Sequence, residues 1–240
     1  MPHGALARYE APVPKWTEEL KEEVRQKALA TTLIPAMQRG DLRAIHAFLL
    51  GFWSFVDAFP GTIEKGRARV FKTAIRNYPF EVRAIGANAT ALMRKDESDH
   101  RTLWTISASE VGLTYAELEM GRTHYPKTQL ITDLVGDETA DPATLLLRFM
   151  AVEMVAETVS DALLYSAKFL DVVPKRGCGW FVVHVEHVAT TGTPHEEVTF
   201  RLANALTDDG VQEETAKKII LEVADVFAEA ANAAHLKVVA

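Results

Sequence analysis

Glu97 and His100 stand three residues apart in Glu97-Ser-Asp-His100, inside a long run whose apolar spacing and flanking turn residues read as helix. At that spacing a carboxylate and an imidazole leave the same helix face and can converge on one cation. One Glu-x-x-His arises easily by chance on a charged helix, so its weight depends on further ligands elsewhere. The candidates are Glu153 and Glu157 on a later helix, and His184, Glu186, His187 and His195 in the last third of the chain.

Glu153 is the most telling of these, because it lies in Leu145-Leu-Leu-Arg-Phe-Met-Ala-Val-Glu-Met-Val-Ala156. A carboxylate carried into such an apolar turn costs several kcal/mol unless it meets a cation, is protonated or faces water. A divalent metal would satisfy it. Pairing with Arg148 or a water-filled pocket would satisfy it without one.

The elements that must bring these residues together read as helices. Thr17 with Glu18 and Glu19 opens one; Asp41 caps a longer one carrying Leu42, Ile45, Leu49, Phe52, Val56 and Phe59, with Pro60-Gly61 to stop or kink it. The Glu97/His100 segment spans Phe80 to Val111, and Thr114-Tyr-Ala-Glu117 is a capping box for a short helix beyond. Asp141-Pro142 opens a helix to Leu170, Thr193-Pro194-His195-Glu196 combines a capping box with an N1 proline, and a last helix runs from Val211 to His235. The expectation is roughly six to eight helices and an all-α fold. One stretch, Trp180 to Thr191, is so rich in valine that propensity alone favours a strand. As a helix it would bring His184 beside His187; as a strand it would separate them.

Length and composition fit a single domain, 1–240: 48% of 240 residues are apolar, enough for a substantial core. The net charge of −7 and the absence of long Lys/Arg clusters argue against nucleic acid and anionic membranes as partners and favour a small-molecule substrate. A homodimer is compatible with the composition. The lone Cys178 excludes an internal disulfide and a Cys-based zinc site. With no signal-like N-terminus and no run of about 18 apolar residues, the expected location is the cytoplasm.

Taken together, these segments resemble the TenA/PqqC superfamily, and within it the iron-dependent oxidase branch. The carriers are the aromatic block Phe48 to Phe59, Glu97-Ser-Asp-His100 followed by Leu103-Trp104, Val152-Glu153-Met-Val-Ala-Glu157, and Trp180-Phe-Val-Val-His184. The resemblance implies a haem-oxygenase-like helical bundle of about seven helices. It also implies Fe(II), one or two ions, with O2 as co-substrate, in oxidative decarboxylation, C–C cleavage or N-oxygenation of a small organic acid or amino acid. In that branch a Glu-x-x-His helix, a later Glu and a His-x-x-x-Asp-x-x-His helix hold two irons. Glu97, His100, Glu153 and His184 match that pattern, but Val188 and Thr191 stand where it has Asp and His.

Valine cannot ligate and threonine is a poor iron ligand, so three arrangements remain open. Glu97, His100 and His184 could form a two-His, one-carboxylate site with Glu153 as a fourth ligand or a catalytic base. His187 or His195 could replace the missing pair. Or the cavity could serve a metal-free, PqqC- or TenA-like reaction on an organic cofactor precursor, in which case Arg43, Arg83, Arg94 and Tyr165 should line it. Asp57 and Glu157 are candidates to support the ligand imidazoles from behind. Phe52, Trp53 and Phe55 are candidates to line a substrate pocket, although such a stripe is more often plain core.

Overall fold

The computed structural model describes residues 4–69, 78–186 and 193–239, and every regular element among them is helical. In chain order these are α1 (Ala5–Glu10), α2 (Trp16–Leu29), α3 (Leu33–Gln38), α4 (Leu42–Arg69), α5 (Phe80–Glu110) and α6 (Tyr115–His124). They continue as α7 (Pro126–Val135), α8 (Pro142–Leu164), α9 (Ala167–Val172), α10 (Gly179–Val185), α11 (His195–Leu206) and α12 (Glu213–Val239). A 3-10 turn, Lys175–Cys178, leads into α10.

Helix α8 is the centre of the bundle, and it packs against α2, α10, α11 and α12. Its sequence is apolar on every side, which fits a helix enclosed all round by neighbours. Its start follows from local chemistry: Asp141 accepts hydrogen bonds from the Ala143 and Thr144 N–H groups at 3.0 and 3.1 Å, and Pro142 fills the first helical position. We expect Asp141→Ala to cost about 1 kcal/mol of folding stability by urea titration, the usual loss for a removed cap.

Several boundaries differ from the sequence expectations for identifiable reasons. Helix α4 passes straight through Pro60, because its core face is buried on both sides of the proline, with Val56 and Phe59 before it and Ile63 after it, and this outweighs one missing hydrogen bond. Helix α8 stops at Leu164 rather than running to Leu170. There Ser166 donates to the Gln38 carbonyl at 2.5 Å and accepts from the Phe169 N–H, which starts α9 afresh. Thr17 does not cap α2; it lies inside the first turn and donates to the Pro14 carbonyl at 2.7 Å. Helix α11 uses Pro194 itself as its cap residue and has no side-chain cap. The capping box at Thr114 and Glu117 forms as expected.

The valine-rich stretch is helical over Gly179–Val185. Tertiary packing decides this: Trp180, Phe181 and His184 are buried at helical spacing where α10 lies against α8 and α5. Residues 187–192, which include His187, Val188 and Thr191, fall outside the described residues. Helix α4 is long and apolar enough to cross a membrane, but two-thirds of that stretch is buried within the bundle, as expected of a core helix.

Candidate metal centre

Helix α5 carries the first half of the site. Its buried stripe runs Val82, Gly86, Ala89, Met93, then Asp96, Glu97 and His100, then Trp104 and Ser107. The three- and four-residue steps are those of an ordinary core face, but the middle of the stripe is polar. Whatever packs there must answer two carboxylates and an imidazole.

The answer comes from three other helices. Helix α8 contributes Glu153, α10 contributes His184, and α11 contributes His195 at its first position; all are buried. His100 Nδ1 lies 3.0 Å from Glu97 Oε1, and His195 Nδ1 lies 3.9 Å from the same oxygen and 3.5 Å from Glu153 Oε1. The His100 and His184 rings are 4.6 Å apart. Two three-residue groups result: Glu97, His100 and His184, and Glu97, Glu153 and His195. Within each, one potential ligand atom per residue lies within 4.8 Å of the others. Glu97 belongs to both.

Orientation of the rings follows from their outer hydrogen bonds. His184 Nδ1 donates to the Trp180 carbonyl one turn back, at 2.7 Å, which leaves Nε2 as the acceptor of that ring. His195 Nε2 donates to Asp96 Oδ2 at 3.2 Å, which turns Nδ1 toward Glu153 and Glu97.

The residues fit a bound cation on one decisive observation. Glu97 Oε1, Glu153 Oε1 and His100 Nδ1 are all buried, and none of them has a hydrogen-bond partner among the described residues. The 3.0 Å approach of Glu97 to His100 is therefore close but misaligned. The three atoms lie close together in the interior, and buried polar atoms left without a hydrogen bond cost about 1–3 kcal/mol apiece.

Electrostatics divide the imidazoles. Burial, with His100 nearby, pushes the His184 pKa down to about 4, so this ring is neutral, the form that binds metals. Burial also works against a charged His195, but Glu153, the hydrogen bond to Asp96 and Glu97 overcome it and raise its pKa to about 11. For His100 burial is likewise outweighed, chiefly by Glu97, and the pKa is raised. For Glu153 burial opposes ionisation, but the His195 charge prevails and the carboxyl is held below its ordinary value.

A cavity of about 60 Å³ adjoins the cluster. Glu97, Glu153 and His184 form its polar end; the rest is apolar, with Phe48, Phe52, Phe55, Phe59 and Phe227 among the walls. Phe52 and Phe55 thus both line this cavity. Trp53 does not: it is fully buried, its indole N–H donates to Glu119 Oε1 at 2.8 Å, and Arg122 lies over its ring. It points from α4 to α6, because a residue adjacent to Phe52 on a helix leaves by a different face.

Two other candidates are engaged elsewhere. Asp57 pairs with Arg101 at 2.9 Å and with Arg122, not with an imidazole. Glu157 pairs with Lys21 at 2.5 Å, one turn further along α8 from Glu153. Arg148 does not neutralise Glu153; it donates to the Leu134 carbonyl and pairs with Asp137. Glu186 is exposed at the end of α10, and His46 is satisfied by the Val111 carbonyl at 2.9 Å. Cys178 is buried, and burial pushes its thiol pKa up, opposite to what a nucleophile needs.

Asp96 escaped the sequence reading. The available signal was its register: it lies three residues after Met93 and four before His100, on the face that had to be buried.

No protein-family model and no curated protein matches the chain. Among solved structures, a TenA homolog from Pseudomonas syringae pv. tomato str. DC3000 superimposes with a TM-score of 0.75 at 13% identity, covering 93% of each chain. At that identity the likeness concerns the fold: this chain is an all-α bundle of the TenA, haem-oxygenase-like kind.

Proposed function

We propose that this chain is a non-haem iron enzyme that uses O2 to oxidise a small organic acid or amino acid in cofactor or secondary-metabolite biosynthesis. The observation that supports it is the pair of buried ligand groups sharing Glu97, with inward atoms that have no hydrogen bond among the described residues. Glu97, His100 and His184 are the two-His, one-carboxylate set of non-haem iron sites. Glu153 stands ready as a further ligand. Iron(II) held there would supply the electrons for reaction with O2.

The remaining work falls to the chain itself. Trp180 fixes the His184 ring through its carbonyl, so the ligand nitrogen needs no reorientation. The phenylalanine walls keep water from the reacting end and receive the apolar body of a substrate. Glu153 faces both the cavity and the ligand cluster, which places it to take a proton from a bound substrate. Among the described residues, no Arg, Lys or Tyr is part of the cavity wall. A substrate carboxylate would therefore meet two glutamates, and a metal cation held between them would favour its entry.

The runner-up is a metal-free, PqqC- or TenA-like protein that binds an organic cofactor precursor. The observation in its favour is His195, whose raised pKa gives an imidazolium beside Glu153 and Glu97. Against it, the cationic and phenolic lining that such a ligand calls for is not found among the described residues. Arg43 pairs with Asp41, Arg94 with Glu64, Tyr165 is 84% exposed, and Arg83 is not part of the cavity wall. The experiment is anaerobic loading with Fe(II), followed by O2 consumption against a panel of small organic and amino acids. Turnover that requires iron supports the oxidase; turnover equal with and without iron rejects it.

A further inference from the structure

We infer that Asp96 is a positioning residue that fixes His195 as a ligand to a second cation position, completed by Glu97 and Glu153. This rests on the metal-binding reading above and extends it to Asp96, on which that reading does not depend.

His195 is held from both sides by consecutive residues of one helix. Side chains one residue apart on a helix project about 100° from each other, so Asp96 and Glu97 cannot address the same edge of a ring. Asp96 takes the Nε2 edge at 3.2 Å, while Glu97 faces the Nδ1 edge at 3.9 Å. With Nε2 spent as a donor to Asp96, Nδ1 is the nitrogen left facing inward. Its inward neighbours, Glu97 Oε1 and Glu153 Oε1, lie at distances or angles that leave both oxygens without a hydrogen bond among the described residues.

Those separations suit a shared ion better than direct pairing. Nitrogen and oxygen ligands sit about 2.0–2.2 Å from a first-row divalent metal, which places neighbouring ligand atoms between roughly 3 and 4.4 Å apart. The 3.5 and 3.9 Å contacts fall in that interval. The Glu97, His100 and His184 group is complete without His195, so the second group is an additional position, with Glu97 common to both. A carboxylate behind a ligand imidazole orients the ring and raises its basicity, and Asp96 stands in that place.

The test titrates the full chain anaerobically with Co(II), read by calorimetry and by the visible absorption of bound cobalt. Wild type should take two equivalents. Asp96→Ala and His195→Gln should keep the first equivalent and weaken the second by about 10–100-fold, with loss of its share of the cobalt spectrum. Asp96→Asn keeps the shape and an amide oxygen that can accept from Nε2, so it should recover part of the second binding step. It also carries the test, together with His195→Gln, if circular dichroism shows Asp96→Ala to be unfolded. Two equivalents bound with wild-type affinity and spectrum by Asp96→Asn, Asp96→Ala and His195→Gln alike would overturn the inference. A wild type that binds a single equivalent, unchanged in these variants, would also overturn it while leaving the iron reading intact. A wild type that binds none would overturn both.

Discussion

Glu97→Ala will abolish iron binding and iron-dependent O2 consumption together. Glu97 is the one residue common to both ligand groups, so no arrangement of the remaining side chains restores either group. Even the loss of an outer hydrogen-bond partner to a ligand weakens metal binding by about 10–100-fold, and removing a shared ligand should exceed that range. The effect is visible in stability too. Iron at about a thousand times its dissociation constant should stabilise the wild type by about 4 kcal/mol, and Glu97→Ala should show none of this gain in thermal melts with and without iron. His184→Ala should follow Glu97→Ala in O2 consumption. Glu186→Ala, on the exposed end of α10, should bind iron as the wild type does. A Glu97→Ala protein with full iron uptake would show that the two groups are ordinary buried polar contacts.

Trp104→Ala should produce the largest loss of stability of any substitution near the site, about 3–5 kcal/mol by urea denaturation of the metal-free protein. The indole is 1% exposed, donates to the Leu49 carbonyl at 3.1 Å and packs on Phe48 and Trp180 with ring centroids 5.1 and 4.8 Å away. Its removal leaves a cavity where α4, α5 and α10 meet. A domain has about 5–15 kcal/mol in total, so the loss is a large share. The same contact supports the site, since Trp180 carries the carbonyl that orients His184. Trp104→Ala should therefore also weaken metal binding, and Trp104→Phe should recover much of both. A cost below about 1 kcal/mol would mean that the aromatic cluster can collapse around the gap.

How far the sequence reaches is best seen residue by residue. Helix α5 and the Glu97/His100 pair were legible because an i, i+3 relation survives in any helix and needs no knowledge of neighbours. Glu153 was legible through its setting, an acid inside an apolar turn. The meeting of these two with His184 could be expected only from the family resemblance, since three helices separated by dozens of residues must pack before the tips converge. Asp57 and Trp53 went the other way. Both lie on the aromatic helix α4, but a side chain's destination depends on rotation about the helix axis and on partners such as Arg101, Arg122 and Glu119, none of which spacing reveals. Valine content left Trp180 onward open between strand and helix, because strand propensity is a statement about half-buried pleated surfaces and α10 is instead wedged between two helices. Asp96 shows the opposite limit: its register was visible, but its purpose appears only beside His195, which enters from a helix 99 residues later.

The central claim is that the buried Glu97, His100, His184, Glu153 and His195 cluster exists to hold iron. Element analysis after anaerobic Fe(II) loading and removal of unbound metal tests it most directly. The account predicts stoichiometric iron on the wild-type chain and none on Glu97→Ala. A well-folded wild type that emerges free of iron would contradict it.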